Sequence, residues 1–472
     1  MKLFNTRTHS LETFQPIKPN FVGVYSCGPT VYDHAHIGNL STYIYADILR
    51  RTLQLNGYDV KHVMNFTDVD DKTIKAALEK YPDETPMLAL NKLTEHYENI
   101  FKKDMTSIGN DTDQITFVKA TDSIDIIQKL INILLEQGIA YETNDGVYFD
   151  INKYRANRTY GQLSDISFVD NGQACQRINN DEYSKDNPND FALWKAAKPN
   201  EPSWEYILPS GHNLVGRPGW HIECSAMATN QLGQPFDIHT GGIDLIFPHH
   251  ENEIAQSTAA NQPELYANFF VHNEHLLVDN QKMSKSAHNF YTLPDIIEQG
   301  FTGYDFRMLV LQSRYDSPTN FSWTILKSAH NRWQNWLNIA ETRHQINDIP
   351  NSSQIESTSK YIEKATGYLD NNLDTPNALA MIDQAFNLFT PTNTDLSALE
   401  KLLDFVERVL GLPILKLTPD ITESEADLIE KRTNKRVAKD WDEADKIRDL
   451  LTKSGIYIKD GQPTLWTRYP KD

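Results

Sequence analysis

Residues 22–39 read VGVYSCGPTVYDHAHIGN, and their reading decides the fold. The first half is apolar and β-branched, which predicts a short buried strand. The second half breaks at Gly28 and Pro29, and the amphipathic run after Asn39, with Leu40, Ile44 and Ile48 four apart, predicts a helix. A strand that turns into a helix in this way belongs to an α/β sheet. There the helix directs its unpaired N–H groups and the positive end of its dipole into a ligand crevice. Cys27, His34 and His36 fall on that turn. An isolated thiol is also a small apolar side chain, so this stretch alone leaves Cys27 open between site residue and core residue.

Working outward, the βαβ rhythm continues. A helix over 40–55 stops at Asn56-Gly57, and YDVKHVMNFTDVDDK (58–72) predicts a second strand. Residues 1–115 are expected to form one half of a Rossmann-type domain, and residues 215–275, from GWHIECSAM to FFVHNEHLLVD, the other. Between them, 116–214 is read as an insertion, because YETNDGVYFD (141–150), RANRTYGQLS (155–164) and RINNDEYSKDNPND (177–190) are rich in turn residues. Residues 276–325 carry a lysine loop, 326–415 read as a bundle of amphipathic helices, and 416–472 as a small unit of two charged helices and a hairpin.

The 472 residues suffice for roughly three domains. Three cysteines, Cys27, Cys175 and Cys224, are too few for a disulfide framework and suit a reducing compartment. The start, MKLFNTRTHSLETF, has no apolar core of signal-peptide length, and no run of about 18 apolar residues occurs, so a cytoplasmic protein with no membrane partner is expected. The net charge of −19 argues against unspecific nucleic-acid binding. A local basic patch is still available: Lys431, Arg432, Lys435, Arg436 and Lys439 recur at helical spacing. The bland alternative is a solvated helix face.

Two further stretches carry chemistry. GRPGWHIECSAM (216–227) holds Cys224, and GGIDLIFPHHENE (241–253) places Pro248 as a good first helical residue with His249 and Glu253 four apart, on one face. Two thiols, an imidazole and a carboxylate make a plausible zinc set. No C-x-x-C pair is present, so the reading requires the fold to bring distant segments together. In the third stretch, KMSKS (282–286), Lys282 and Lys285 are mobile point charges that can meet a leaving pyrophosphate.

HAHIGN (34–39) resembles the HIGH signature of class I aminoacyl-tRNA synthetases, and KMSKS matches their second signature letter for letter. Asn39 departs from the usual final histidine. It still donates a hydrogen bond to phosphate but carries no proton. The wider set CGPTVYDHAHIGN, NFTDVDDK, DFALWK, GRPGWHIECSAM, FPHHENEIAQS and KDWDEADKIRDLL is similar to the cysteinyl-tRNA synthetase family over essentially the whole chain.

That resemblance implies a class I Rossmann-type catalytic domain with an inserted connective domain, a helical bundle and a C-terminal anticodon-binding domain. It implies ligation of L-cysteine to its tRNA with ATP and magnesium, through a cysteinyl-adenylate, by a probable monomer. By the same resemblance Cys27, Cys224, His249 and Glu253 would hold one zinc ion. Thr67 and Trp220 would line the cysteine pocket. Thr30, His36, Asn39, Gly242, Asp244 and Lys285 would bind ATP, with His34, His36, Lys282 and Lys285 catalytic. Near Phe270, where the family places a tryptophan, an aromatic surface would survive for adenine. Cysteine and serine differ by one atom, which shape discriminates by only about ten- to two-hundredfold, whereas zinc prefers thiolate. The alternatives are a mycothiol-type cysteine ligase, whose chains lack the C-terminal part, and an inactive RNA-binding or zinc-storing relative.

Overall fold

Five parallel strands form the central sheet of the computed structural model, which describes residues 1–164, 190–261, 265–284, 289–346, 348–461 and 464–469. Their order across the sheet is Ala267–Asn273, Phe236–Gly242, Phe21–Ser26, Asp59–Phe66 and Ile115–Lys119. Every neighbouring pair is parallel, with Val24 registered against Ile238 on one side and His62 on the other. The chain therefore starts in the middle of the sheet, winds to one edge, and returns to build the other. Such an order opens a crevice at the carboxyl ends of the two strands where the winding reverses. Those strands are Phe21–Ser26, which leads into Cys27, and Phe236–Gly242, which leads into Asp244.

The expected helix is present as Ile37–Leu55, burying Ile37, Leu40, Ile44 and Ile48 against the sheet. The chain leaves it through Gly57 at φ +84, a left-handed turn that glycine adopts without steric cost. Strand Ile115–Lys119 stands in the parallel sheet. A separate antiparallel sheet of Ala140–Glu142, Gly146–Phe149, Phe191–Ala196 and Gly216–Pro218 packs with helix Ile124–Glu136 around its own apolar cluster. Residues 165–189, which include Cys175 and most of the polar stretch noted above, lie outside the described residues.

Spatial contacts divide the chain into two units, 1–295 with 315–319, and 296–314 with 320–472. The second unit contains the helices Trp323–Glu341, Ser352–Leu369, Thr375–Phe386 and Leu396–Leu410. Helix Leu396–Leu410 turns Leu399, Leu402, Leu403, Val406 and Val409 inward, and Asp395 caps its first turn. Two charged helices, Glu423–Val437 and Trp441–Lys453, precede a small hairpin of Tyr457–Lys459 and Leu465–Thr467. The hairpin is tied back to helix Trp323–Glu341. Lys459 donates to Asn338 at 2.9 Å, and the Thr467 hydroxyl donates to Glu341 at 2.6 Å. No helix among the described residues is long and apolar enough to cross a membrane.

Candidate functional site

The turn after Phe21–Ser26 needs its glycine. A Cβ on Gly28 would lie 1.7 Å from the Asn65 carbonyl oxygen, so any side chain would push the turn off the neighbouring strand. The Gly28 N–H donates to the Asn65 side chain at 2.9 Å, and the Thr67 N–H donates to the Pro29 carbonyl at 3.2 Å. Thr30 and Thr67 pair across this junction. Thr67 is buried and its hydroxyl accepts from Asn65 at 3.2 Å, so it holds the wall of the crevice from behind.

At the floor of the crevice, four donor atoms from three segments converge. Cys27 Sγ lies 4.0 Å from Cys224 Sγ and 3.7 Å from Glu253 Oε1, and His249 Nε2 lies 3.1 Å from Glu253 Oε1. The donors of Cys27, Cys224, His249 and Glu253 all fall within 4.8 Å of one another, in fully buried positions. A tetrahedral zinc ion with bonds of about 2.3 Å to sulfur and 2.0–2.1 Å to nitrogen and oxygen has edges of roughly 3.8 Å between sulfurs and 3.3 Å between nitrogen and oxygen. The cluster fits those edges.

Its electrostatics fit as well. Burial drives the Cys27 thiol well above its usual range, with Cys224 and Glu253 beside it raising it further. Burial also pulls His249 down to about 3, against the pull of Glu253, so the imidazole is neutral and its lone pair available. For Glu253, burial alone would raise the carboxyl, but His239 and His249, with hydrogen bonds from His239 and Tyr266, hold it below the ordinary value. A buried carboxylate beside two thiols and a neutral imidazole is a site short of positive charge.

The expected regular helix at Pro248 is replaced by a kink. Phe247–Pro248 is cis and Phe247 is extended, with regular helix beginning at Glu251. His249 and Glu253 still meet, because the wound turn keeps their side chains on one side. The run after Pro248 assigns each residue its own partner. His250 meets His272 at 2.7 Å, Glu251 accepts from the backbone N–H groups of residues 161–164, and Asn252 accepts from the Tyr160 hydroxyl at 2.6 Å.

The upper part of the crevice is a cavity of about 400 Å³ lined by Cys27, Thr30, His34, His36, Asn39, Trp220, Gly242 and Asp244 among others. His36 caps helix Ile37–Leu55: its Nδ1 accepts from the Asn39 N–H at 3.1 Å, so the neutral ring carries its proton on Nε2. No acidic residue of its own stands in the first turn of that helix, and Asp244 lines the space beside its positive end. His34 packs edge-on against Tyr97 at 5.8 Å.

Lys282 reaches the same turn from more than two hundred residues away. With Met283 it lines a space of about 150 Å³ shared with His36, Asn39, Gly242 and Asp244. The approach is fixed by the Ile37 N–H, which donates to the Tyr291 carbonyl at 2.9 Å, and by Phe290, edge-on to His36 at 5.2 Å. Lys285 lies outside the described residues. Trp220 stacks on His249 at 4.3 Å and is 42 % exposed, so one face covers the cluster while the rest borders open space.

Two expectations need correction. Phe270 is 1 % exposed and stacks on His239 at 5.5 Å inside the sheet, so it lines neither cavity and offers adenine no surface. In the second unit, Arg432 is 1 % exposed and bound at two points to Asp460, at 2.7 and 3.0 Å, so it is a structural ion pair and not a phosphate contact. Its neighbours Arg436 and Lys435 pair with Asp460 and Asp440, leaving Lys431 and Lys439 on the exposed part of the run.

The sequence reading missed the histidines around the floor. His221 meets His249 at 2.8 Å, His239 meets Glu253 at 2.8 Å, and His250 and His272 continue the chain to Thr6. The available signal was a histidine in each of two apolar strands, FDIHTGG and FFVHN, where a charged side chain would be costly.

Comparison with known proteins gives the family and the fold. Residues 13–331 match the family of class I (C) tRNA synthetase catalytic domains, and residues 418–465 match the cysteinyl-tRNA ligase anticodon binding domain. The chain is 40 % identical to a cysteine–tRNA ligase of Fusobacterium nucleatum, over 99 % of this chain and 100 % of the relative. It is equally 40 % identical to one of Prochlorococcus marinus, again over 99 % and 100 %. Among solved structures, a leucyl enzyme of Agrobacterium radiobacter in complex with tRNA superposes with a TM-score of 0.59 at 12 % identity, covering 87 % of this chain and 86 % of that one. A Mycobacterium tuberculosis methionyl-tRNA synthetase does so at 0.55 and 14 %, covering 92 % and 94 %. These two likenesses concern the fold.

Proposed function

The chain belongs to the cysteine–tRNA ligases of class I, and from that membership we propose that Cys27, Cys224, His249 and Glu253 hold one zinc ion that selects cysteine by its thiol beneath the ATP site. The observation that carries the proposal is the convergence of those four donors within 4.8 Å, from segments as far apart in sequence as 27 and 253. When bound, zinc supplies a preference for thiolate over hydroxyl and stabilises the deprotonated thiol.

The surrounding residues do the rest. Trp220 closes the floor from above and borders the space for the cysteine side chain, with Thr67 supporting that wall. The carboxylate oxygen of cysteine attacks the α-phosphorus of magnesium-bound ATP, the bond to pyrophosphate breaks, and a cysteinyl-adenylate results. His36 Nε2–H donates to the phosphates at the positive end of helix Ile37–Leu55, and Gly242 and Asp244 receive the ribose. Lys282, with Lys285, meets the charge that gathers on the leaving pyrophosphate. A hydroxyl of the terminal adenosine of the tRNA then takes the cysteinyl group and AMP leaves.

Metal analysis tests the reading. About one zinc per chain is expected in the purified protein, falling well below that in Cys224→Ala. Undiminished zinc in that variant would overturn the assignment. Pyrophosphate exchange supported by cysteine and not by serine would show the selectivity itself.

A further inference from the structure

Beside the catalytic crevice lies a second cavity of about 410 Å³, which shares Thr30, Lys72 and Trp220 with it and is otherwise lined by different residues. Two of its cations are buried. The side chains of Arg217 and Lys195 are only 3 % and 9 % exposed, and both pair with one carboxylate, Asp71, whose side chain is 62 % exposed. Lys195 stands 3.5 Å from Asp71, and the Arg217 guanidinium contacts it directly. Among the described residues, Arg217 Nε is buried with no hydrogen-bond partner. Lys72 adds a third cation, whereas the carboxylate of Asp70 is committed to capping helix Asp71–Lys80 through the Thr73 N–H.

Burying a guanidinium such as that of Arg217 is costly unless an anion compensates it, and an exposed carboxylate is a weak, exchangeable compensation. Arginine in particular presents a fork that matches phosphate oxygens. The walls also carry His221 and the exposed part of Trp220, flat surfaces on which a nucleobase can lie. The volume lies within the roughly 300–1,000 Å³ of ordinary small-ligand sites.

We propose that this cavity is a subsite for a phosphodiester of the single-stranded 3′ end of the tRNA, and that Arg217 and Lys195 exchange Asp71 for that phosphate as the RNA arrives. The inference rests on the cysteine–tRNA ligase reading and adds to it the residues that would receive the RNA next to Trp220. No bond is made or broken in the exchange: an intramolecular carboxylate gives way to an intermolecular phosphate.

The test compares a cysteine-accepting tRNA transcript with the same transcript lacking its two terminal nucleotides, on the wild-type chain, Lys195→Gln and Asp71→Asn. Cysteine-dependent pyrophosphate exchange in the wild type comes first, because its absence would sink the parent reading and not this one. Lys195→Gln is expected to weaken binding of the intact transcript about tenfold and to lower its log–log salt slope by about one, with the trimmed transcript unaffected. Asp71→Asn, at an exposed position, is expected to tighten the intact transcript severalfold by removing the competitor. Equal effects on both transcripts in Lys195→Gln, or unchanged or weaker binding in Asp71→Asn, would overturn the proposal and leave the cluster a structural ion pair. A nucleotide or inorganic phosphate that competes equally against both transcripts would assign the cavity to a free anion instead.

Discussion

Asp68 shows how much a single position in the catalytic unit is set by burial. It is 2 % exposed and accepts from the backbone N–H and hydroxyl of Thr121, with the N–H at 3.0 Å. Burial pushes its carboxyl up to about 6, against the lowering effect of the two Thr121 bonds. A raised carboxyl favours folding while it is protonated. Its contribution is therefore fully present below the unfolded value near 3.9 and is lost as pH rises through about 6. The wild type is expected to lose about 2 kcal/mol at this residue between pH 4 and pH 7, whereas Asp68→Asn has no such dependence. Urea unfolding of both chains across that range should show the variant gaining on the wild type with rising pH, and a constant difference would refute the assignment. NFTDVDDK displays Asp68 and Asp71 alike as acids in one polar run, yet one is buried and the other 62 % exposed. Asp68 follows the strand end and is held by Thr121 beside it, whereas Asp71 opens helix Asp71–Lys80.

At the scale of elements, the strand–turn–helix of residues 21–55 follows from local pattern, because a buried strand, a glycine break and a helix of period 3.6 are all short-range features. The hairpin of Leu276–Val278 and Gln281–Lys282 is different: the place of its lysine depends on Tyr291 and Phe290 docking at the His36 turn. Removing its charge should act on the step in which charge moves. Lys282→Ala is expected to slow adenylate formation by about a hundredfold, or about 3 kcal/mol, with a smaller change in ATP binding. Single-turnover kinetics with a separate ATP titration measures both, and equal losses would indicate plain ground-state attraction. The kink at Phe247–Pro248 was not legible, since proline is also a good first residue of a helix, and the sequence alone favours that simpler reading.

For the whole molecule, the acidic balance of −19 confines any attraction for RNA to local positions. The basic run of the second unit is mostly consumed internally. Arg432→Gln is expected to cost the second unit about 1–3 kcal/mol, because it removes a buried guanidinium and its two hydrogen bonds to the partly exposed Asp460. Lys431→Gln and Lys439→Gln should leave thermal stability unchanged while each lowers the salt slope of tRNA binding by about one. Calorimetry and a binding series across salt measure the two effects, and a salt slope unchanged in both lysine variants would make this face merely solvated. Cutting the chain near residue 415 is a poorer probe, since it strips Glu341 of Thr467 and Arg468 and so damages the helix that remains. The sequence by itself determined the α/β class, the two signatures and the types of the four donors proposed to hold zinc, because each is written in a short contiguous pattern. The tertiary structure alone decided that His221, His239 and His272 join the floor, that Phe270 turns inward, and that Arg217 and Lys195 meet at Asp71. Those contacts join segments far apart in the chain, and the strand order that brings them together is fixed by burial of the whole sheet, which no local spacing encodes.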